Sequence, residues 1–450
     1  MTETRSKSTL DRFLNIFTDV REGEGITVVL LFMNLFLVLM CYYIAKVLRE
    51  AWILAEEGPE LKSYLSAGQV LLILIAVRLY TWLASKFDRK RLISTVNIFF
   101  SVCLGVFYLL AQTGMSLGII FFVWIGMFNV MVVAQFWSFA NDIYTPEKGK
   151  RLFAIVAFGA SLGAVAGSYL PSKFIPIFGL NQLLLLSGGI LLVSLLITNY
   201  VDGKEKHRKI SSEEEKTEGE TKEETLGKEG AFKLLFSNKY LLMIAFLILL
   251  LNWVNTTGEY ILGRTVTGMA EQIAEQSGPD FSTKDFIGEF YANFFTWVNI
   301  AGVLIQLFLV SRILKYLGIQ IAIMILPVIA LGGYLILAFY PLLGIVRWAK
   351  TAENSIDYSL NNTVRQVLFL PTTREEKYKA KQAIDSFFHR SGDFLSALLV
   401  YVGVNWLAFE TKQFALFSLV LVAIWLLLAF RIGRENKRLT EREPFGKTTG

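Results

Sequence analysis

Cysteine and histidine are both scarce, with two of each among 450 residues. Cys41 and Cys103 each lie inside an apolar run, so they read as packing residues and not as a disulfide or a metal pair. His207 and His389 stand in no metal-ligand spacing. The chain therefore offers no metal site, calls for no cofactor, and has no candidate constellation for hydrolytic catalysis, so it does not read as an enzyme. A G-x-x-x-x-G-K-[ST] loop is also missing, so the sequence offers no Walker-type phosphate-binding loop. The first 25 residues carry Arg5, Lys7, Arg12 and Arg21 but no short apolar region ending at a small-residue cleavage site, so they do not read as a removable signal peptide. Charge is thin throughout: 18% of residues are charged against 54% apolar, and the mean hydropathy is +0.49. Those values exclude an ordinary soluble domain and predict an integral membrane protein.

What is present is apolar length. Runs of about 20 residues fall at 27–50, 64–85, 92–112, 116–138, 152–170 and 181–200, then at 239–262, 290–312, 319–340, 343–370, 394–409 and 413–431. The 36 Phe, 17 Tyr and 9 Trp suit such spans and their interfacial belts. Between the two sets, Asp202 to Lys239 is rich in Glu, Lys, Ser, Thr and Gly, and reads as a disordered linker. One alternating set of loops holds Lys86, Arg89, Lys90 and Arg91, then Lys148, Lys150 and Arg151, then Arg312 and Lys315, then Arg374, Lys377, Lys379 and Lys381. The opposite set is poor in Lys and Arg. By the positive-inside rule both termini and the linker are cytoplasmic. The net charge of +6 then reflects topology, with no basic patch for a nucleic-acid partner.

The expected organisation is thus a cytoplasmic N-terminal segment at 1–26, a six-helix half at 27–200, a cytoplasmic disordered linker at 201–238, a second six-helix half at 239–431 and a basic cytoplasmic tail at 432–450. Twelve transmembrane helices in two six-helix halves, all-α, resemble the major facilitator architecture, whose halves rock about a site near the midplane. Asp88-Arg89-Lys90-Arg91 resembles the basic signature of that superfamily between helices 2 and 3, with Arg312 to Lys315 at the pseudo-equivalent place; any cytoplasmic loop also carries such charges.

Four clusters carry chemistry. Lys46, Arg49 and Glu50 lie along one side of the first span, either snorkelling at the boundary or presenting a net positive face. Arg78 sits deep in the second span, where a lone arginine needs an acidic or anionic partner. The fourth span closes on Gln135-Phe-Trp137-Ser-Phe-Ala-Asn141-Asp142, followed by Thr145-Pro146 as a start for the next helix. Gly159, Gly163 and Gly167 then recur at spacings of four, which lets that helix approach a neighbour closely.

The fourth cluster loads a membrane-spanning length with Arg347, Lys350, Glu353, Asp357 and Arg365. A charge near the bilayer centre costs at least about 2.5–3.5 kcal/mol, so these residues should face a wet cavity or one another. Arg347, Lys350, Asn354, Asp357, Asn361 and Arg365 recur at three and four, one polar stripe along the tenth span. It either lines a cavity or forms an interior salt-bridge ladder.

The segments YYIAKVLREAWIL, FWSFANDIYTPEKGKRLFAIVAFGASLGAVAG and SIDYSLNNTVRQVLFLPTTREEKYKAKQAIDSFFHRSGD resemble the ATP/ADP translocase family of plastids and intracellular bacteria, nucleotide transporters related to the major facilitators. The resemblance implies exchange or proton-linked uptake of nucleotides, with cavity cations holding the phosphates. It places the basic pair of the first-helix motif on Lys46 and Arg49, its acidic residue on Glu50, and the lysine of the last motif on Lys381. The chain departs from that family where Gly126 or a neighbour replaces a mid-span glutamate, and where the seventh helix offers Asn255, Glu259 and Arg264.

The expected function is secondary transport of nucleotides by alternating access across the inner membrane. The alternatives are a major facilitator for another anionic or amphipathic substrate, or a non-transporting scaffold. Lys46, Arg49, Arg78, Arg347, Lys350, Asn361, Arg365 and Lys381 are the candidate substrate contacts. Glu50, Asp142, Glu259, Glu353, Asp357 and Asp385 are candidates for coupling or gating. The expected partners are an anionic small molecule and the lipid bilayer, and the protein is expected to act as a monomer.

Overall fold

The computed structural model describes residues 15, 20–21, 24–144, 146–210, 231–278, 280–373, 376 and 380–442, and the regular structure among them is helical. A bilayer leaves the backbone no water to bond, and a helix satisfies its own N–H and C=O groups. The long helices are α1 (Gly25–Glu56), α2 (Gly58–Lys86), α3 (Arg89–Ala111), α4 (Gly118–Ile143), α5 (Pro146–Phe178), α6 (Gln182–Ile210), α7 (Lys239–Ser277), α8 (Thr283–Phe308) and α9 (Gly318–Phe339). Next comes α10, in which Leu343–Ile356 passes through a π turn at Asp357–Asn361 into Asn362–Leu368. In α11, Lys381–Ala383 passes through a π turn at Ile384–Phe388 into His389–Asn405, and α12 is Thr411–Arg442. A further π turn, Asn129–Val133, interrupts α4.

Among the described residues nine helices are long and apolar enough to cross a membrane, namely α1, α3 to α9 and α12. The protein is a multi-pass membrane protein. Outside that count, α10 and α11 are loaded with ionisable residues and divided by their π turns.

The chain forms two compact units. Unit 1 is 1–56, 71–221 and 282–296; unit 2 is 57–70, 222–281 and 297–450. The expected disordered linker needs correction at both ends. α6 runs on through the Glu, Lys and Arg that follow Asp202 as far as Ile210, because these are good helix formers. A short helix, Ala231–Ser237, precedes α7. Residues 211–230, the helix start expected at Thr145, and Arg374, Lys377 and Lys379 all lie outside the described residues.

In unit 1, α1 is the central element, packed on α5 and α6. A Cβ built on Gly159, Gly163 or Gly167 of α5 would fall on the backbone carbonyl oxygens of Phe32, Phe36 and Met40 of α1 respectively. The two backbones therefore touch through an absence of side chains, as the four-residue spacing predicts. Cys41 is buried on α1 with its thiol toward the Ser187 carbonyl of α6 at 3.3 Å, and both cysteines are free. Between α5 and α6 the chain turns at Gly179, whose φ of +80° favours glycine and whose N–H closes α5 on the Ile175 carbonyl at 2.8 Å.

In unit 2, α7 is the central element and packs on α10, α11 and α12. A Cβ on Gly392 of α11 would meet Asn252 and the backbone of Leu249 and Trp253 at 2.8 Å. Asn238 caps α7, its side chain accepting from the N–H groups of Tyr240 at 2.9 Å and Leu241 at 3.4 Å.

The α1–α5 contact makes a direct prediction. Gly163→Leu should lower the melting temperature of the detergent-solubilised protein sharply or abolish its monodisperse elution, because backbone must move to admit it. Gly189→Ala on α6, where nothing lies within 4 Å of the added carbon, should leave stability unchanged or raise it by about 0.5–1 kcal/mol.

Candidate functional site

The polar face of α10 meets α7 in unit 2. Lys350 is 1% exposed, and Glu353 and Asn354 beside it are also buried. The Lys350 ammonium donates to Asn255 Oδ1 at 2.8 Å, lies 3.1 Å from Glu353 Oε1 one turn along its own helix, and lies 3.9 Å from Glu259 Oε1. Asn354 donates to the same Glu259 oxygen at 2.9 Å. Gly258 of α7 makes the room: a Cβ there would lie 2.9 Å from Lys350 Nζ and would overlap the hydroxyl of Tyr334 of α9. That hydroxyl in turn donates to the Val254 carbonyl at 2.9 Å. Two carboxylates and an amide oxygen surround the one buried ammonium, which offsets part of the cost of removing it from water.

Beyond this cluster the π turn changes what α10 faces. Asn361 donates to Asp357 at 2.7 Å within the turn. Arg365 then pairs with Asp385 of the next π turn at 2.9 Å, and Lys381 donates to Gln366. The expected single stripe is therefore two segments, one directed at α7 and one at the start of α11. Each internal pair follows the salt-bridge-ladder alternative. Arg347 is half-buried, its guanidinium 5.5 Å from the centre of the Trp348 ring. A separate carboxylate, Asp393 of α11, accepts from Asn252 at 2.8 Å and Thr256 at 2.7 Å, and ties α11 to α7.

In unit 1 the first-span cluster stands on α1. Lys46 lies 4.1 Å above the Phe295 ring and 5.3 Å from the Tyr43 ring. Arg49 pairs with the adjacent, buried Glu50 and lies 5.1 Å over Phe122. Both cations therefore lie against aromatic faces. Asp142 is exposed at the end of α4.

Arg78 is a correction. The sequence places it as a buried lone cation, whereas its side chain is exposed, on a stretch of α2 where Leu71, Ile75, Val77, Leu79 and Trp82 are exposed too. Among the described residues it has no ion-pair partner.

Sequence reasoning missed Glu56, which ends α1 and looks like an ordinary loop acid beside Glu57. Its carboxylate accepts from Ser116 Oγ at 2.9 Å and from the N–H groups of Leu117 at 2.8 Å and Gly118 at 2.6 Å, and it meets Lys284 at 2.5 Å. It satisfies the first turn of α4 and anchors the start of α8.

The sequence profile of the Major Facilitator Superfamily matches residues 30–352. The chain belongs to that superfamily. This major facilitator is 23% identical over 351 residues to ADP,ATP carrier protein 1 of Chlamydia pneumoniae, covering 68% of this chain and 64% of that one. It is 21% identical over 494 aligned positions to ADP,ATP carrier protein 2 of the same organism, covering 90% and 88%. In the first of these matches the chain spans less than two thirds of its relative. Among solved structures it resembles the nucleoside transporter NupG, with a TM-score of 0.60 at 14% identity over 90% of this chain and 98% of that one. That likeness shows the fold. The resemblance to the ATP/ADP translocases agrees with the carriers matched.

The buried cluster is testable on its own. Lys350→Met strands two carboxylates, and breaking a buried pair from one side costs about 3–5 kcal/mol, so melting temperature should fall steeply. Lys350→Met combined with Glu353→Gln should recover most of that loss. Equal stability of the single and double variants would show that Glu353 does not depend on the lysine.

Proposed function

We propose that this major facilitator is a secondary transporter of nucleotides, working by alternating access in an inner membrane. Twelve helices would span the membrane as two six-helix halves, with both termini cytoplasmic. The observation that carries the reading is the similarity to the Chlamydia ADP,ATP carrier proteins. The cation set supports it. Lys46 and Arg49 on α1, Arg78 on α2 and Arg347 and Arg365 on α10 offer point-charge and bidentate contacts suited to phosphate oxygens. Asn361 and Lys381 are further polar candidates in unit 2.

Lys350 takes a different part in this scheme. Its ammonium is already held by Glu353, Glu259 and Asn255, so a phosphate competes with these groups. Glu259 is the more exposed carboxylate, 26% against 6% for Glu353, and is the one a solvated partner reaches. Exchange of Lys350 between substrate and carboxylates would couple binding to the packing of α7 against α10. Glu50, Asp142, Asp357 and Asp385 are the further carboxylates available for such exchange.

Uptake of labelled ATP, ADP, NAD and a non-nucleotide phosphate ester into proteoliposomes tests the reading. Nucleotides should enter and compete with one another. Uptake of the phosphate ester alone would replace nucleotides with another anionic metabolite, and no uptake of any of them by well-inserted protein would remove the proposal. Arg78→Gln should weaken nucleotide affinity about 10- to 150-fold, the equivalent of roughly 1.5–3 kcal/mol for a charge-assisted hydrogen bond. Reporter fusions at Met1 and Gly450 check the topology, which requires both to be inactive in a reporter that works only outside the inner membrane.

A further inference from the structure

A small, partly open polar cavity in unit 1 is lined by residues of α1, α3, α4 and α6. Its free volume is about 10 Å³, close to the roughly 10–15 Å³ that a single water occupies on this scale. Five polar side chains line it: Asn34, Asn97, Gln135, Ser194 and Thr198. Three of them satisfy one another. The Asn34 amide donates to the Ser194 carbonyl at 2.9 Å and to Thr198 Oγ1 at 2.5 Å, and Ser194 Oγ donates to Asn34 Oδ1 at 3.3 Å.

Asn97 of α3 and Gln135 of α4 are different. Both are buried, 4% and 3% exposed, and Asn97 Oδ1 and Gln135 Oε1 have no donor among the described residues. The Gln135 amide nitrogen already points at the Ile93 carbonyl, 3.4 Å away, so its oxygen is the atom left over. A buried polar atom without a partner costs about 1–3 kcal/mol, and such groups in folded proteins are normally bonded to protein or to ordered water.

We infer that the cavity holds one structural water, which donates one hydrogen to Asn97 Oδ1 and the other to Gln135 Oε1. Two orphan acceptors match the two hydrogens of a water. No carboxylate lines the cavity, so a cation would enter an uncharged, buried site with nothing to balance it. The water bridges α3 to α4 just past the π turn at Asn129–Val133, where α4 has a break in its regular ladder. This inference does not depend on the substrate proposed above.

A density map of the full-length protein in detergent or nanodisc, at a resolution that resolves waters, tests it directly. The expected result is a peak about 2.7–3.2 Å from both oxygens, with a melting temperature unchanged between sodium and choline buffers. Two variants add an independent reading. Asn97→Leu and Gln135→Met should each lower the melting temperature by about 2 °C or more, and the double variant should lose less than the sum, because both orphan acceptors are then gone. A peak at about 2.4 Å with sodium-dependent stabilisation would overturn the inference in favour of a cation. Direct contact between the two amides with no peak between them would overturn it as well. If the variants fail to fold, the wild-type map still decides.

Discussion

A lysine ammonium held out of water by two carboxylates and an amide oxygen sets the geometry of unit 2. Lys350 draws α7 and α10 together through Asn255, Glu259 and Glu353, and Asn354 closes the same ring by bonding Glu259. Tyr334 brings α9 against the site, over the space left by Gly258. Such a cluster is weak evidence for stability, since a well-packed apolar replacement is often as stable. What it does is join α7 to α10 at named atoms, so that moving either helix breaks these contacts.

Unit 1 solves the same problem in the opposite way. Where α1 and α5 meet, the contact is backbone on backbone through three glycines, with no charge at all. The charges are moved to the two ends of α1. Glu24, just before its first residue, meets Arg151 of α5 at 3.2 Å and Lys148 at 3.8 Å. Glu56, its last residue, meets Lys284 and caps α4. The helix is fixed along its length by shape and at its ends by carboxylates, while Lys46 and Arg49 lie against the rings of Phe295 and Phe122.

Much of this was legible in the sequence, for identifiable reasons. Apolar run length located the long helices, because a bilayer imposes a length that composition must meet. The spacing of Gly159, Gly163 and Gly167 announced a close approach, although not that α1 would be the partner. The charged residues of α10 marked the polar site because charge in a span has few uses. The pairing of Lys350 with Glu259 was not legible, since the two lie on different helices and neither lies at a spacing that points to the other. Nor was the exposure of Arg78, which a local sequence pattern does not determine. Glu56 escaped notice because a helix-ending glutamate looks the same whether it caps a neighbour or points into solvent.

The π turns explain a subtler failure of pattern reading. A helical wheel assumes that every residue advances the chain by about 100°, and a π turn inserts one residue beyond what that count allows. On α10 the insertion falls between Lys350 and Arg365, so a stripe drawn with constant period is correct on each side of Asp357–Asn361 and out of phase across it. The same holds across Asn129–Val133 in α4 and Ile384–Phe388 in α11. In each of these helices the turn acts like a change of gauge in a screw thread: both lengths are regular, yet a mark carried along one does not line up on the other.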